Sequence, residues 1–287
     1  MEVAAEERLE EKLVACTAST VKIPTFDKDP KTGKPRELHA FLLEPKNPVP
    51  QDQRLAMITA FYGGSNGYSK FDNIMCAAGL TVLSPAVRGS SGFGKEFYGL
   101  NDKDLGGDEI VDLFYAARWL EEHTGLAANR IGVKGGSHGG YATMRALTHP
   151  PETNGRNESY PLGFGMAHAG FSDIKTFYDA TNIPDWVVLE SGDPNVPKEL
   201  AKMKDRSPMQ HVDLLRAPVG VSGEAGDPRQ LKRYLGRLGP LHPQGRQLGP
   251  EGIDTFRETK FVMIDPDCTD SQDGWWFPYK NEESFSG

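Results

Sequence analysis

The sequence predicts an α/β protein: a mostly parallel central sheet of about eight strands with helices on both faces. Three observations carry this reading. From residue 55 onward, short apolar runs alternate with helical patterns. Residues 55–61, 80–83, 131–133, 164–168, 218–223 and 260–264 read as strands. Strand–helix alternation makes neighbouring strands parallel, because the chain crosses over between them. Residues 108–122 form a strong amphipathic helix, with Ile110, Val111, Phe114, Ala117 and Leu120 at helical spacing and Trp119 beside them. Finally, 32 Gly and 21 Pro supply the many junctions such a fold needs.

The elements follow in order. Residues 2–15 read as a helix with Leu9, Leu13 and Val14 on one side and a solvated charged face. Residues 21–24 and 38–43 are strands around the polar turn DKDPKTGKPRE, so a hairpin adds antiparallel strands at one edge. The strand at 55–61 ends in Tyr62-Gly63-Gly64. A short helix at 71–78 precedes the strand at 80–83 and the loop AVRGSSGFGKEF. Beyond residue 148, PPETNGRNES is a polar loop. The stretch 174–200, which holds Trp186, reads as irregular, and a helix is expected around residues 230–238. We divide the chain into an N-terminal helical extension (1–18), one domain (19–265) and an atypical C-terminal tail (266–287).

Composition narrows the partners. A net charge of −8 argues against nucleic acid and anionic membranes. No apolar run is long enough to span a bilayer. The acidic N-terminus is not a signal peptide, so a cytoplasmic location is expected. Cys16, Cys76 and Cys268 are far apart and odd in number, which suggests neither a disulfide framework nor a metal site. No phosphate-binding loop, cofactor motif or metal-ligand set is present, and no cofactor is expected.

The chemistry centres on RIGVKGGSHGGYATMRALT, residues 130–148. A buried strand leads into Gly135-Gly136-Ser137-His138-Gly139-Gly140, and a helix follows from Tyr141. This is the setting of a G-x-S-x-G nucleophile elbow. The turn leaves no room for side chains beside the serine, so glycines flank it. Ser137 Oγ would stand exposed above the sheet, and the helix N-terminus behind it favours developing negative charge.

Several further motifs stand in one order. They are Tyr62-Gly63-Gly64, Arg88-Gly89-Ser90-Ser91-Gly92-Phe93-Gly94, the helix 108–120, GGSHGGY, Asp205-Arg206-Ser207-Pro208, and Gly223 to Arg229. With these, the chain resembles the catalytic domain of the prolyl oligopeptidase family of serine peptidases, an α/β-hydrolase fold. The β-propeller of larger members has no counterpart in these 287 residues, which contain no internal repeat. The resemblance implies a peptide or small-molecule substrate and assigns the nucleophile to Ser137. Asp227 takes the acid's place, although before Pro228 it also suits a helix N-cap. The first oxyanion donor would be the His138 N–H. The second would be either the Tyr62 hydroxyl or a backbone donor near Gly63. Arg88 reads as an anchor of its loop to nearby carbonyls, or as a ligand for a substrate carboxylate. His168 reads as a core or rim histidine, and Trp186 as pocket wall or core.

The base is missing from its family position. The segment after the strand at 260–264 reads DPDCTDSQDGWWFPYK and holds no histidine. Asp270 and Asp273 occupy that region, but a carboxylate matches proton exchange near neutral pH poorly. Only His242 follows Asp227, and it precedes the last strand. We therefore expect His242 to lie far from Ser137 and the triad to be incomplete. The side chain of His138 is expected to point away from Ser137. Two readings follow: a serine peptidase acting through a Ser137 acyl-enzyme, or a weak or inactive binding protein on the same fold.

Overall fold

A computed structural model describes residues 15–60 and 69–222. These form a seven-stranded sheet in the order β1-β2-β4-β3-β5-β6-β7. Strands β1 (Cys16–Lys28) and β2 (Pro35–Pro45) make the expected hairpin. Then come β3 (Ala56–Thr59), helix α1 (Lys70–Ala77), β4 (Thr81–Pro85) and the short α2 (Lys95–Tyr98). Helix α3 (Asp108–Thr124), β5 (Ile131–Gly136), α4 (His138–Leu147) and β6 (Phe164–His168) follow. Helices α5 (Ile174–Ala180), α6 (Pro184–Ser191) and α7 (Pro197–Asp205) precede β7 (Val219–Ser222). The eighth expected strand, the N-terminal helix and the helix around 230–238 lie outside the described residues.

Strands β3 to β7 pair in parallel, while β1–β2 and β2–β4 are antiparallel. Burial follows from this layout. Antiparallel β2 alternates, burying Arg36, Leu38, Ala40 and Leu42, whereas parallel β3 buries Ala56, Met57 and Ile58 in succession. Helix α1 lies on one face, where its Asp72 meets Lys134 of β5 at 2.5 Å. Helix α4 lies on the other, where Thr143 and Leu147 fill the space a side chain on Gly165 would need. On β6, Gly165 and Ala167 accordingly face α4 and are buried. Met166 and His168 face the other way and are exposed.

Two expectations are corrected. Residues 174–200 are not irregular: they carry α5, α6 and the first turn of α7. Their starts are marked by Asp173, which caps α5 by accepting from the Thr176 N–H, and by Pro184 and Pro197 in the first turns of α6 and α7. Each of these helices is short, so the apolar period has too few turns to show. The cysteines are the second correction. Cys16 of β1 and Cys76 of α1 form a disulfide, with Cα atoms 6.3 Å apart across a sequence separation of 60. Hairpin pairing brings the start of β1 back beside α1, a proximity that cysteine spacing alone does not reveal.

Arg88 anchors its loop through carboxylates rather than carbonyls. Its Nε and Nη2 donate to both oxygens of fully buried Asp112, and Asp27 and Asp108 lie within 3.4 Å. Thr25 of β1 donates to Asp112 as well. Burial opposes the charge, but the three carboxylates hold the guanidinium above its ordinary value. Breaking a buried pair leaves an uncompensated charge, so Arg88→Met should lower unfolding free energy by about 3–5 kcal/mol. Adding Asp112→Leu should recover part of that loss. Urea denaturation of the three proteins checks both outcomes.

His149, just past α4, is buried edge-on against Phe114 with ring centroids 5.3 Å apart. Burial, then the charges of Arg145 and Arg206, push its imidazole down from 6.5 to about 2. Below pH 6.5 the unfolded chain therefore takes up a proton that the folded chain refuses, and stability falls as the pH is lowered. The slope from this one group approaches about 1.4 kcal/mol per pH unit. His149→Phe should flatten the stability profile between about pH 6.5 and pH 5. Urea midpoints across that range measure it, and an unchanged slope would contradict the assignment.

Candidate active site

The candidate site lies where β5 hands over to α4. Ser137 sits between them at φ 54°, ψ −119°, a positive φ that a residue with a side chain adopts only under strain. The surroundings hold it there. The Ser137 N–H donates to the His168 carbonyl of β6 at 2.9 Å, and the Ser137 carbonyl accepts from the Tyr141 N–H at 3.1 Å. A side chain on Gly135 would meet the Ala60 carbonyl at 2.4 Å, and one on Gly140 would meet the His168 carbonyl at 2.6 Å. The glycines thus let α4 lie directly on the ends of β5 and β6. The N–H groups in the first turn of α4 have no acceptor within the helix itself.

The rest of α4 is clamped from below. Arg145, fully buried, donates to the carbonyls of Gly106 and Asp205 and to Thr153 Oγ1, and burial lowers its guanidinium to about 10. The buried Tyr141 hydroxyl donates to the Arg206 carbonyl at 3.0 Å, and burial raises its ionisation well above the usual value. The Ser207 hydroxyl accepts from the Ile174 N–H. The motif Asp205-Arg206-Ser207-Pro208 is therefore a structural clasp that receives two side chains of α4.

The His138 ring turns inward, away from the sheet's upper edge, with Nε2 3.1 Å from Glu109 Oε2. Trp186 is half-buried against His138, Phe171 and Phe177. Phe171 stacks between Tyr141 and Phe177 at centroid distances of 4.6 and 4.2 Å. This aromatic cluster escaped the sequence reading, because its members come from α4, α5, α6 and a loop. Also unforeseen is a hydrogen-bonded pair, His168 Nδ1 with Ser222 Oγ at 3.0 Å, on the adjacent strands β6 and β7. Tyr62, Gly63, Asp227 and His242 lie outside the described residues. A cleft of about 800 Å3 opens between the β1–β2 turn and residues 92–97, and Ser137 is not part of its lining. Among the described residues, no cluster of His, Cys, Asp or Glu is arranged to hold a metal ion.

Known proteins share this fold. The profile of the prolyl oligopeptidase family matches residues 67–222, more than half of the chain. Dipeptidyl aminopeptidase BIII of Pseudoxanthomonas mexicana is 28% identical over 189 residues, covering 62% of this chain and 26% of that protein. The acylamino-acid-releasing enzyme of Rattus norvegicus is 27% identical over 197 residues, covering 64% and 25%. The chain thus spans about a quarter of the length of these curated relatives. Among solved structures, uncomplexed Pyrococcus horikoshii acylaminoacyl peptidase superposes with a TM-score of 0.65 at 21% identity, covering 82% of this chain and 37% of that one. Prolyl oligopeptidase B from Galerina marginata gives 0.63 at 21% identity, covering 81% and 32%. These structures share the α/β-hydrolase fold, and by the match over residues 67–222 the chain belongs to the prolyl oligopeptidase family.

Proposed function

We propose that this chain acts as a serine peptidase, cleaving peptide bonds, or small ester and amide bonds, through an acyl-enzyme on Ser137. The strained backbone of Ser137 at the N-terminus of α4 carries the reading. Strain of that kind persists where surrounding structure enforces it, and here it lifts Oγ off the sheet beside the N-terminus of the helix. The names of the curated relatives describe release of acylamino acids and of dipeptides, which favours a peptide substrate.

In the proposed reaction, Ser137 Oγ attacks the acyl carbon and the His138 N–H stabilises the oxyanion. A second donor comes from the Tyr62 hydroxyl or the backbone near Gly63, and Asp227 serves as the triad acid. The alternative is a weak or inactive binding protein, favoured by the lack of a histidine in residues 265–280. An oxidising compartment suits the Cys16–Cys76 disulfide better than the cytoplasm that composition suggests.

A fluorophosphonate probe separates the two readings. Wild-type protein should be labelled covalently, and Ser137→Ala should lose all labelling while keeping its melting temperature within a few degrees. Folded wild-type protein that stays unlabelled would favour the binding protein.

A further inference from the structure

We propose that the cleft of about 800 Å3 between the β1–β2 turn and residues 92–97 binds acidic side chains of a peptide, a few residues away from its scissile bond. This preference rests on the peptidase reading of Ser137 and adds a substrate class to it.

Strand topology puts the cleft at the same edge of the sheet as Ser137. Strands β4, β3 and β5 are parallel, so Pro85 and Gly136 end at one edge. The chain leaves β4 there toward residues 92–97, and Ser137 follows β5. Strand β2 runs the other way, with Ala40 opposite Pro85, so residues 35–39 and the turn before them stand at that edge too. In the order β2-β4-β3-β5, the strand that leads to Ser137 is two places from β4 and three from β2. At about 4.8 Å per place, the lateral offset is roughly 10–14 Å. An extended peptide advances about 3.3 Å per residue, so about three to five residues span it.

The charges of the cleft are unequally committed. Each acid in its described lining already has partners. Asp29 accepts from the Lys31 and Thr32 N–H groups of the turn, Glu37 pairs with Lys22 at 3.0 Å, and Glu96 pairs with Lys31 at 2.7 Å. Buried Arg36 is held by Asp27 at 2.9 Å. Lys34 and Lys95 remain, one on the turn and one at the start of α2. Both are exposed, and neither has a carboxylate partner among the described residues. The lining also holds an aromatic ledge: the His39 ring stacks on Phe93 at 5.1 Å, and Phe97 meets Phe93 edge-on at 5.7 Å.

An acidic peptide suits both features. Its carboxylates meet the two ammonium groups, and its side-chain stems and backbone lie on the rings. A basic peptide would add like charge beside Lys34 and Lys95. The chain as a whole carries a net charge of −8, which repels an acidic ligand at long range. A preference for acid therefore has to come from contacts within about one Debye length, roughly 8–10 Å, as a lined cleft provides.

Fluorescence anisotropy with Ser137→Ala, which leaves the peptide intact, tests this. The probes are fluorescein-labelled, C-amidated peptides of one alanine–serine sequence carrying a pair of Glu, Gln or Lys residues, and the Gln peptide with a free C-terminus. At low salt the Glu peptide should bind about 3–10-fold more tightly than the amidated Gln peptide, and the Lys peptide more weakly than either. Salt at about 0.5 M should remove the difference. Adding Lys34→Glu and Lys95→Glu together should erase or reverse the preference. Lys198→Glu with Lys204→Glu makes the same charge change on exposed residues of α7 and should leave it intact. All four lysines are exposed, so melting curves should stay within a few degrees of the parent. Equal binding of the Glu and amidated Gln peptides would overturn the proposal, as would a Glu preference that survives Lys34→Glu and Lys95→Glu. Tighter binding from the free C-terminus alone would overturn the assignment to side chains. Fluorophosphonate labelling of wild type is scored separately. Unlabelled protein that still prefers the Glu peptide keeps the acidic-peptide site and loses the peptidase reading, and labelled protein without that preference does the reverse.

Discussion

Everything around the candidate site depends on how closely α4 approaches the ends of β5 and β6. At its first turn the helix backbone rests on the strand ends with no side chain between them, because Gly135 and Gly140 carry no Cβ where one would fall 2.4–2.6 Å from a carbonyl oxygen. Gly170 completes the contact from the β6 side, with room for no side chain against Gly140. That approach forces the chain to turn within one residue, and the residue at the turn is Ser137. Its positive φ is thus imposed by packing on both sides.

The layers beneath the turn keep that geometry from relaxing. Arg145 and Tyr141 project from α4 into a clasp of backbone carbonyls at residues 106, 205 and 206. The sheet's other half is tied by Arg88, whose carboxylate partners come from the end of β1 and from α3. Both arginines are buried, one satisfied by carbonyls and the other by carboxylates. Neither is placed to touch a substrate. Their work is to hold loops that leave the upper edge of the sheet, so that strand ends meet where chemistry is proposed.

The fold was legible because each central strand is a short apolar run and each long helix repeats its pattern over several turns. The serine elbow was legible because strand, glycines and helix are contiguous in sequence. What could not be read depends on contacts between distant segments. The Cys16–Cys76 disulfide needs the hairpin register, and the pairing of His168 with Ser222 needs the order of β5, β6 and β7. In sequence, His168 is one polar residue at the end of an apolar run. In the sheet, it lies opposite Gly136, next to Ser137. The helices between Ile174 and Asp205 were hidden by their brevity, although Asp173, Pro184 and Pro197 marked where each begins.

The central claim is that packing holds Ser137 as an exposed nucleophile at the N-terminus of α4, beside the His138 N–H. A crystal structure of the protein after reaction with a diphenyl phosphonate tests it most directly. The account predicts a phosphorus–oxygen bond to Ser137 Oγ and a positive φ retained at that residue. It also places the His138 N–H about 2.7–3.1 Å from a phosphoryl oxygen. An adduct on a different residue, or a Ser137 relaxed to extended backbone with that N–H turned away, would contradict it.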